Sequence, residues 1–155
     1  MAVRRRNRSG CEVDPIGLRP RRFGFGLIGA IGLGGAAGTL IRVAVAQALP
    51  SGGASFPWAT FIVNVSGSVV LGFVIVVALE RTAPSRYLRP LVGTGFCGGL
   101  TTFSTFAVET DSLVRAGRAG VAVLYVLASV AAALLGVWGG ARLARLRRVK
   151  EARWS

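Results

Sequence analysis

The length and composition of this chain are those of a small integral membrane protein and exclude a soluble domain of the same size. It has 155 residues, of which 52% are hydrophobic and 22 are glycine, and its mean hydropathy is +0.59. The sequence lacks histidine, the commonest metal ligand, and its two cysteines lack the spacing of a zinc site or a disulfide framework. The net charge of +13 would suit nucleic acid, but the basic residues flank apolar segments, so we expect no nucleic-acid partner.

Four apolar segments predict four transmembrane helices. About 20 apolar residues cross roughly 30 Å of hydrocarbon as a helix, and the alternating pattern of an outer-membrane barrel is lacking. The predicted spans are Phe23 to Ala46, Phe56 to Leu79, Leu88 to Val114 and Ala119 to Leu143. We therefore predict an all-α membrane domain over residues 23–143, between a basic disordered tail at 1–22 and a basic C-terminal tail at 144–155.

The distribution of lysine and arginine predicts the orientation of the spans. Both termini and the connection between spans two and three hold 16 basic residues, against Arg42, Arg115 and Arg118 on the other side. By the positive-inside rule we expect both termini in the cytoplasm and the chain in the cell membrane. Arg21 and Arg22 also resemble a twin-arginine export signal, but the long glycine-rich segment that follows and Arg42 near its end disfavour cleavage.

Span one contains a Gly-x-x-x-Gly step between Gly34 and Gly38, which lets helix backbones approach closely. The step fits a subunit interface and packing within the chain equally well. Arg42, at the end of this span, is either an interfacial residue whose charge reaches water or a group that attracts anions toward a vestibule.

Span two has a polar face, because Thr60, Asn64, Ser68 and Gly72 recur every four residues. An asparagine near the middle of a membrane span needs partners, since an unsatisfied amide in hydrocarbon is costly. The Asn64 amide can donate to an anion or hydrogen-bond to a neighbouring helix, and the sequence leaves both open.

Span three has the least helical sequence of the four. Glycines followed by hydroxyl residues predict a break at Gly98–Thr102. Irregular backbone at membrane depth occurs only where it is buried in protein or lines a cavity, and its freed carbonyls suit a hard cation such as Na⁺. Phe103 and Phe106 share a face, and their electropositive ring edges suit an anion path. A lipid-facing pair is the ordinary alternative.

Span four places Tyr125 and Ser129 on one face, which the small Ala133 continues. Polar groups of spans two, three and four are therefore expected to face a common path. Glu109 is the only carboxylate near that path in the sequence. It either caps the helix at the membrane interface or contacts the pathway groups.

Three stretches of this sequence resemble the CrcB/Fluc family of fluoride channels. They are GFCGGLTTFSTF at 95–106 with Glu109 after it, GGAAGTLIR at 34–42 and NVSGSVVLG at 64–72. The resemblance covers about residues 29–143. It implies a passive channel subunit that exports fluoride and is not an enzyme. It also implies an antiparallel dimer with two fluoride pathways, and a structural Na⁺ at the dimer centre without an organic cofactor.

The resemblance also implies roles for single residues. Phe103 and Phe106 would line the fluoride pathway, with Asn64 in contact with fluoride. The carbonyls of Gly98 and Thr101 would bind Na⁺. The other residues expected at the pathway are Thr60, Ser104, Tyr125 and Ser129, with Glu109 and Arg42 in support. Many relatives place a second hydroxyl one turn after Ser129, where this chain has Ala133, so the far end of the polar track differs here.

The charge asymmetry adds a prediction about the partner in the dimer. An antiparallel homodimer requires one sequence to insert in both orientations, which demands nearly balanced loops, whereas this chain has 16 basic residues against three. We therefore predict that it inserts in one orientation and pairs with a related subunit inserted in the opposite one.

Two other functions fit four spans. A proton-coupled exporter of the small multidrug type needs a carboxylate within span one, and none lies between Phe23 and Ile41. A structural membrane protein would use the polar faces only to hold helices together. Substitution of Phe103 or Phe106 by isoleucine separates this second reading from a channel.

Overall fold

The computed structural model describes residues 24–49, 55–80 and 87–151, and almost all of these residues are helical. The elements are α1 (Phe25–Ala48), α2 (Trp58–Glu80), a π-helical segment (Arg89–Phe96), α3 (Cys97–Leu100), α4 (Phe103–Arg115) and α5 (Ala119–Glu151). Within the described residues, four stretches are long and apolar enough to cross a membrane. The predicted all-α, four-span fold is therefore confirmed.

The two predicted tails differ in what the structure describes of them. The predicted N-terminal tail at 1–22 lies outside the described residues. At the other end, α5 continues to Glu151, and its apolar part reaches Leu146, three residues beyond the predicted end of span four. The helix therefore extends into the segment predicted as the basic C-terminal tail.

The predicted break in span three is confirmed and is short. α3 ends at Leu100, and the two residues of the break, Thr101 and Thr102, have extended backbones with φ/ψ of −80°/155° and −148°/124°. Gly98 and Gly99 lie inside α3, so the break itself is formed by threonines, whose β-branching favours extended conformations. The Thr102 hydroxyl then accepts a hydrogen bond from the Thr105 amide at 3.2 Å and caps α4.

The glycines of span one serve packing within the chain. A Cβ on Gly34 would meet the carbonyl oxygen of Leu91, and one on Gly38 would meet that of Phe96. α1 therefore lies with its backbone against the backbone of span three, which only glycine allows. Of the two roles open for the Gly-x-x-x-Gly step, the structure shows the intrachain one.

α2 and α5 form a second closely packed pair. A Cβ on Gly72 of α2 would meet the Val137 carbonyl, and one on Gly140 of α5 would meet the Val69 carbonyl. Small residues thus lie inside, while large ones such as Leu134 point outward with 68% of the side chain exposed. This arrangement suits a protein whose surroundings are as apolar as its interior.

Candidate ion pathway

The side chain of Asn64 joins α2 to the break in span three. Its Nδ2 donates to the Thr102 carbonyl at 3.1 Å, and its Oδ1 accepts from the Thr102 amide at 2.8 Å. A carboxamide carries two N–H donors, and this pairing occupies only one of them. Asn64 therefore makes the interhelical bond expected of a polar residue in a membrane span and keeps one donor for a ligand.

The same pairing changes the hydrogen bonding of the carbonyls before the break. In a continuous helix the amides of Thr102 and Thr105 would donate to the carbonyls of Gly98 and Thr101. Here the Thr102 amide donates to Asn64, and the Thr105 amide donates to the Thr102 hydroxyl. Both carbonyls that were predicted to bind a cation therefore lose their helical amide donors at the break.

A cavity of about 480 Å³ opens beside the break, and we call it the larger cavity. Its wall comes from α2, the broken third span and α5. The polar side chains of the wall are Asn64, Ser68, Thr101, Thr102 and Ser129; its larger apolar side chains are Leu71, Phe103, Phe106 and Val130. None of the described residues that line it is acidic, so none of them places a carboxylate against an anion there.

Ser129 supplies a hydroxyl to the larger cavity. Its side chain is buried, with 9% exposed, and its Oγ has no hydrogen-bond partner among the described residues. The Ser68 hydroxyl, in the same cavity, donates instead to the Asn64 carbonyl at 2.8 Å. Of these two serines, Ser129 is therefore the one with a hydroxyl available to a ligand.

The predicted phenylalanine pair lies at the larger cavity. The ring centroids of Phe103 and Phe106 are 5.9 Å apart, and Phe106 also lies 5.0 Å from the ring of Tyr125. Phe106 is half-buried, whereas Phe103 is 80% exposed and projects from the chain. Phe106 thus has a fixed place in the wall, and Phe103 is left for lipid or a partner subunit to cover.

Glu109 connects three helices from within the bundle. The hydroxyl of Thr60 on α2 donates to its Oε1 at 2.9 Å, and the hydroxyl of Tyr125 on α5 donates to its Oε2 at 2.8 Å. Tyr125 is fully buried. Of the two roles open for Glu109, the structure shows contact with the predicted polar residues and not an interfacial cap.

A second, smaller cavity of about 170 Å³ lies on the other side of Thr102. Its polar lining residues are Arg42, Thr60, Thr102 and Thr105. The Arg42 Nε is buried and has no hydrogen-bond partner among the described residues. A guanidinium N–H beside threonine hydroxyls is an arrangement that favours an anion.

The predicted pathway residues therefore separate into groups. Asn64, Phe103, Phe106 and Ser129 share the larger cavity, with Gly98, Thr101 and Ala133 in its wall. Thr60 and Arg42 line the smaller cavity, and Tyr125 is linked to Thr60 through Glu109. Ser104 is exposed at the start of α4 and lines neither cavity, although its Oγ lies 3.3 Å from the Thr102 hydroxyl.

Two features of the site were not predicted from the sequence. Thr102 is the central residue, since its backbone pairs with Asn64 and its hydroxyl caps α4. The Ser68 hydroxyl is turned back onto its own helix. Threonine is a common helix N-cap, so a search of the sequence for capping residues would have identified Thr102 at the start of α4.

Together, the four spans, the broken third helix and the polar cavity at the break define a multi-pass membrane protein with the features of an ion pathway. The chain belongs to the CrcB family: the family model described as "CrcB-like protein, Camphor Resistance (CrcB)" matches residues 29–141. The resemblance inferred from the sequence motifs is thereby confirmed.

Relatives from several bacteria support this assignment. The chain is 46% identical over 124 residues to "Fluoride-specific ion channel FluC 1" of Mycolicibacterium paratuberculosis, covering 80% of this chain and 94% of the relative. It is 48% identical over 116 residues to "Fluoride-specific ion channel FluC" of Chlorobaculum tepidum, covering 75% and 92%. It is 49% identical over 113 residues to "Fluoride-specific ion channel FluC 2" of Rhodococcus jostii, covering 73% and 94%.

Proposed function

We propose that this chain is a subunit of a fluoride-specific ion channel of the cell membrane, through which cytoplasmic fluoride leaves the cell passively. The observation that carries the proposal is the larger cavity, where amide and hydroxyl donors meet phenylalanine rings and no lining residue is acidic. The names of the relatives point to the same ion. The proposed role is transport without catalysis.

The residues of the larger cavity suit a small, strongly hydrated anion. Fluoride must exchange water for other hydrogen-bond donors, and the remaining Asn64 N–H and the Ser129 hydroxyl would supply two. The edges of the Phe103 and Phe106 rings would add weak electropositive contacts that do not hold the ion tightly. An inside-negative potential then drives the anion outward with about 2.3 kcal/mol per charge per 100 mV.

Arg42 and Glu109 would have supporting roles on this proposal. Arg42, with its unpartnered Nε in the smaller cavity, would raise the local concentration of anions near the break. Glu109 would orient the hydroxyls of Thr60 and Tyr125 and so position residues next to the pathway.

We further propose a structural Na⁺ held by the carbonyls of Gly98 and Thr101. Both carbonyls lose their helical amide donors at the break, which makes them suitable oxygen ligands. Hard cations take more than two oxygens, so the remaining ligands would come from a partner subunit or from water. We expect the purified protein to be less thermostable when N-methylglucamine replaces Na⁺; equal melting temperatures in the two buffers would contradict the site.

The proposed assembly is an antiparallel dimer with a related, oppositely inserted subunit, and both termini of this chain in the cytoplasm. The 16-to-3 distribution of basic residues supports a single orientation. The 80% exposure of Phe103 at the rim of the larger cavity supports a partner that completes the wall.

Anion efflux from liposomes tests the proposed function. The purified chain would be reconstituted alone and together with a companion subunit from the same genome, and efflux followed with fluoride- and chloride-selective electrodes. We expect rapid fluoride efflux with little chloride in at least one of the two preparations. If folded protein gives no fluoride efflux in either preparation, the proposal is overturned.

A phenylalanine variant distinguishes a channel from a structural protein. Phe106→Ile removes the ring from the wall of the larger cavity and should abolish most fluoride efflux, whereas a purely structural role would tolerate isoleucine. Leu134→Ile is the matched control, because Leu134 is 68% exposed and lies away from both cavities. We expect this control to conduct like the parent.

A further inference from the structure

The C-terminal part of α5 extends beyond the thickness of a bilayer. The helix has 33 residues, which at 1.5 Å per residue is about 50 Å, against about 30 Å of hydrocarbon. If Arg118 marks one hydrocarbon boundary, Trp138 lies about 30 Å further along the axis and Arg142 about 36 Å. On that placement Trp138 would lie at the far edge of the hydrocarbon and Arg142 among the lipid headgroups.

One stripe of this part of α5 faces away from the bundle. Trp138, Arg142 and Arg145 are spaced by four and three residues, which places them on one side of the helix, and all three are exposed. The opposite side carries Gly140 and Ala144, both buried, and Gly140 lies against the backbone of α2. We call Trp138, Arg142 and Arg145 the Trp138 stripe.

Within the Trp138 stripe, a cation lies on an aromatic ring. The guanidinium carbon of Arg142 is 4.7 Å from the centroid of the Trp138 ring. In the described part of the chain, Arg142 forms no ion pair with a carboxylate. A cation–π contact uses none of the guanidinium N–H groups as hydrogen-bond donors to an oxygen, so they stay available to an anion such as phosphate.

We propose that the Trp138 stripe is a binding site for the headgroup phosphate of an anionic phospholipid. The indole would lie against the glycerol and upper acyl region, and Arg142 would contact the phosphate, with the positive charge of Arg145 on the same face adding electrostatic attraction. Two observations favour lipid over a soluble anion or nucleic acid: the stripe lies in the last turns of a candidate membrane span, and Leu146 beside it is 64% exposed. The sequence adds Arg147, Arg148 and Lys150 just beyond, with Glu151 as the only acid there.

Quenching of Trp138 fluorescence by brominated lipid tests this site. Trp58→Phe and Trp154→Phe would leave Trp138 as the only tryptophan. This variant would be reconstituted in phosphatidylcholine with increasing fractions of dibrominated phosphatidylglycerol or dibrominated phosphatidylcholine. Both leaflets have the same composition, so the orientation of the protein does not affect the result. We expect phosphatidylglycerol to bind at least five-fold more tightly than phosphatidylcholine, since one basic residue near the surface contributes about that factor.

Arginine-to-glutamine substitutions in the single-tryptophan protein show which arginines cause the preference for phosphatidylglycerol. Arg142→Gln should reduce the phosphatidylglycerol preference by about five-fold, and Arg142→Gln with Arg145→Gln should remove most of it. Arg118→Gln, which removes the same charge at the opposite end of α5, is the control and should leave the preference intact. Each variant is compared with its own unquenched intensity and must elute like the parent on size exclusion.

Three outcomes of these comparisons between lipids and variants would overturn the site. They are equal quenching by the two brominated lipids in the single-tryptophan parent, an undiminished preference in the double glutamine variant, and an equal loss in the Arg118 control. Displacement of the brominated lipid by soluble inorganic phosphate would also overturn it, because a lipid site requires the acyl region as well. Fluoride efflux enters none of these measurements, so the result is independent of the proposed channel function.

Discussion

At the residue scale, Asn64 shows how one side chain serves both the fold and the cavity. Its oxygen and one of its N–H groups pair with the backbone of Thr102, which would otherwise leave an amide and a carbonyl without partners at the break. An unsatisfied pair of this kind is costly in hydrocarbon. The Asn64 amide has one further N–H, and the residue lines the larger cavity.

The two serines of the larger cavity provide the sharpest test at this scale. Ser129→Ala removes a hydroxyl that has no hydrogen-bond partner among the described residues, so it should leave folding stability almost unchanged. If that hydroxyl donates to fluoride, its loss should slow fluoride efflux about ten-fold, the equivalent of one hydrogen bond to a charged group. Efflux from liposomes with the fluoride electrode measures the change.

Ser68→Ala is the matched control for this prediction. Both serines line the larger cavity, but the Ser68 hydroxyl already donates to the Asn64 carbonyl. Its removal should therefore change fluoride efflux by less than the Ser129 substitution does. Equal effects of the two variants, or none from Ser129→Ala, would contradict the assignment of Ser129 to the pathway.

At the scale of elements, the break in span three shows what the sequence predicts and what it does not. The glycine-rich run predicted a break, and the break exists, but it falls at Thr101 and Thr102, while Gly98 and Gly99 remain helical. A glycine run in a membrane span fits both a broken helix and a close helix contact. The residues of α1 and α2 that pack against span three decide which of its glycines make close helix contacts and where the helix breaks. These residues are distant from span three in sequence.

The sequence predicts the four spans but not the side-chain contacts between them, again because the contacting residues are distant in sequence. The four hydrophobic runs gave four helices, because length and hydropathy alone decide whether a segment can cross a membrane. The hydrogen bonds of Glu109 to Thr60 and Tyr125 connect residues 49 and 16 positions apart. Periodicity places each of these residues on a face, but it cannot show that their side chains meet.

The contact between α1 and span three leads to a prediction about stability. Gly34→Ala would push a methyl group into the Leu91 carbonyl and the Phe96 amide, which are backbone atoms and cannot turn aside. We expect a loss of about 3 kcal/mol of folding stability, the upper part of the range for overpacking. Thermal unfolding of the purified protein in detergent measures this loss.

Gly32→Ala on the same helix is the control for that measurement. Among the described residues, a Cβ at Gly32 meets no atom within 4 Å, so we expect the higher helix propensity of alanine to decide the effect. The melting temperature of this variant should equal or slightly exceed that of the parent. Equal destabilisation by both alanines would show that the two helices are not packed backbone to backbone.

At the scale of the whole molecule, the distribution of charge predicts how the chain lies in the membrane. With 16 basic residues on the side of the termini, the chain should insert in one orientation only. A reporter that fluoresces only in the cytoplasm, fused to the C-terminus, should give signal, and one active only outside should give none. A substantial external signal would contradict a single orientation and would restore the homodimer as the simpler assembly.

Fusions in the first connection provide the control for orientation. Truncation and fusion after residue 51, between α1 and α2, should give the opposite result with the same two reporters, because one span has been crossed. This reversal shows that both reporters work in this protein. If both positions report the same side, the four-span topology is wrong.

The backbone contacts within each pair of helices have a mechanical consequence. α1 with span three, and α2 with α5, are joined through peptide atoms that have no rotamers, so each pair is expected to move as one stiff unit. The larger cavity lies between the two units, and a Cβ on Gly67 would meet the methyl group of Thr101 where they adjoin. On the proposed function, the spacing of the two helix pairs would limit the width of the pathway, and a wider ion could pass only if the pairs moved apart.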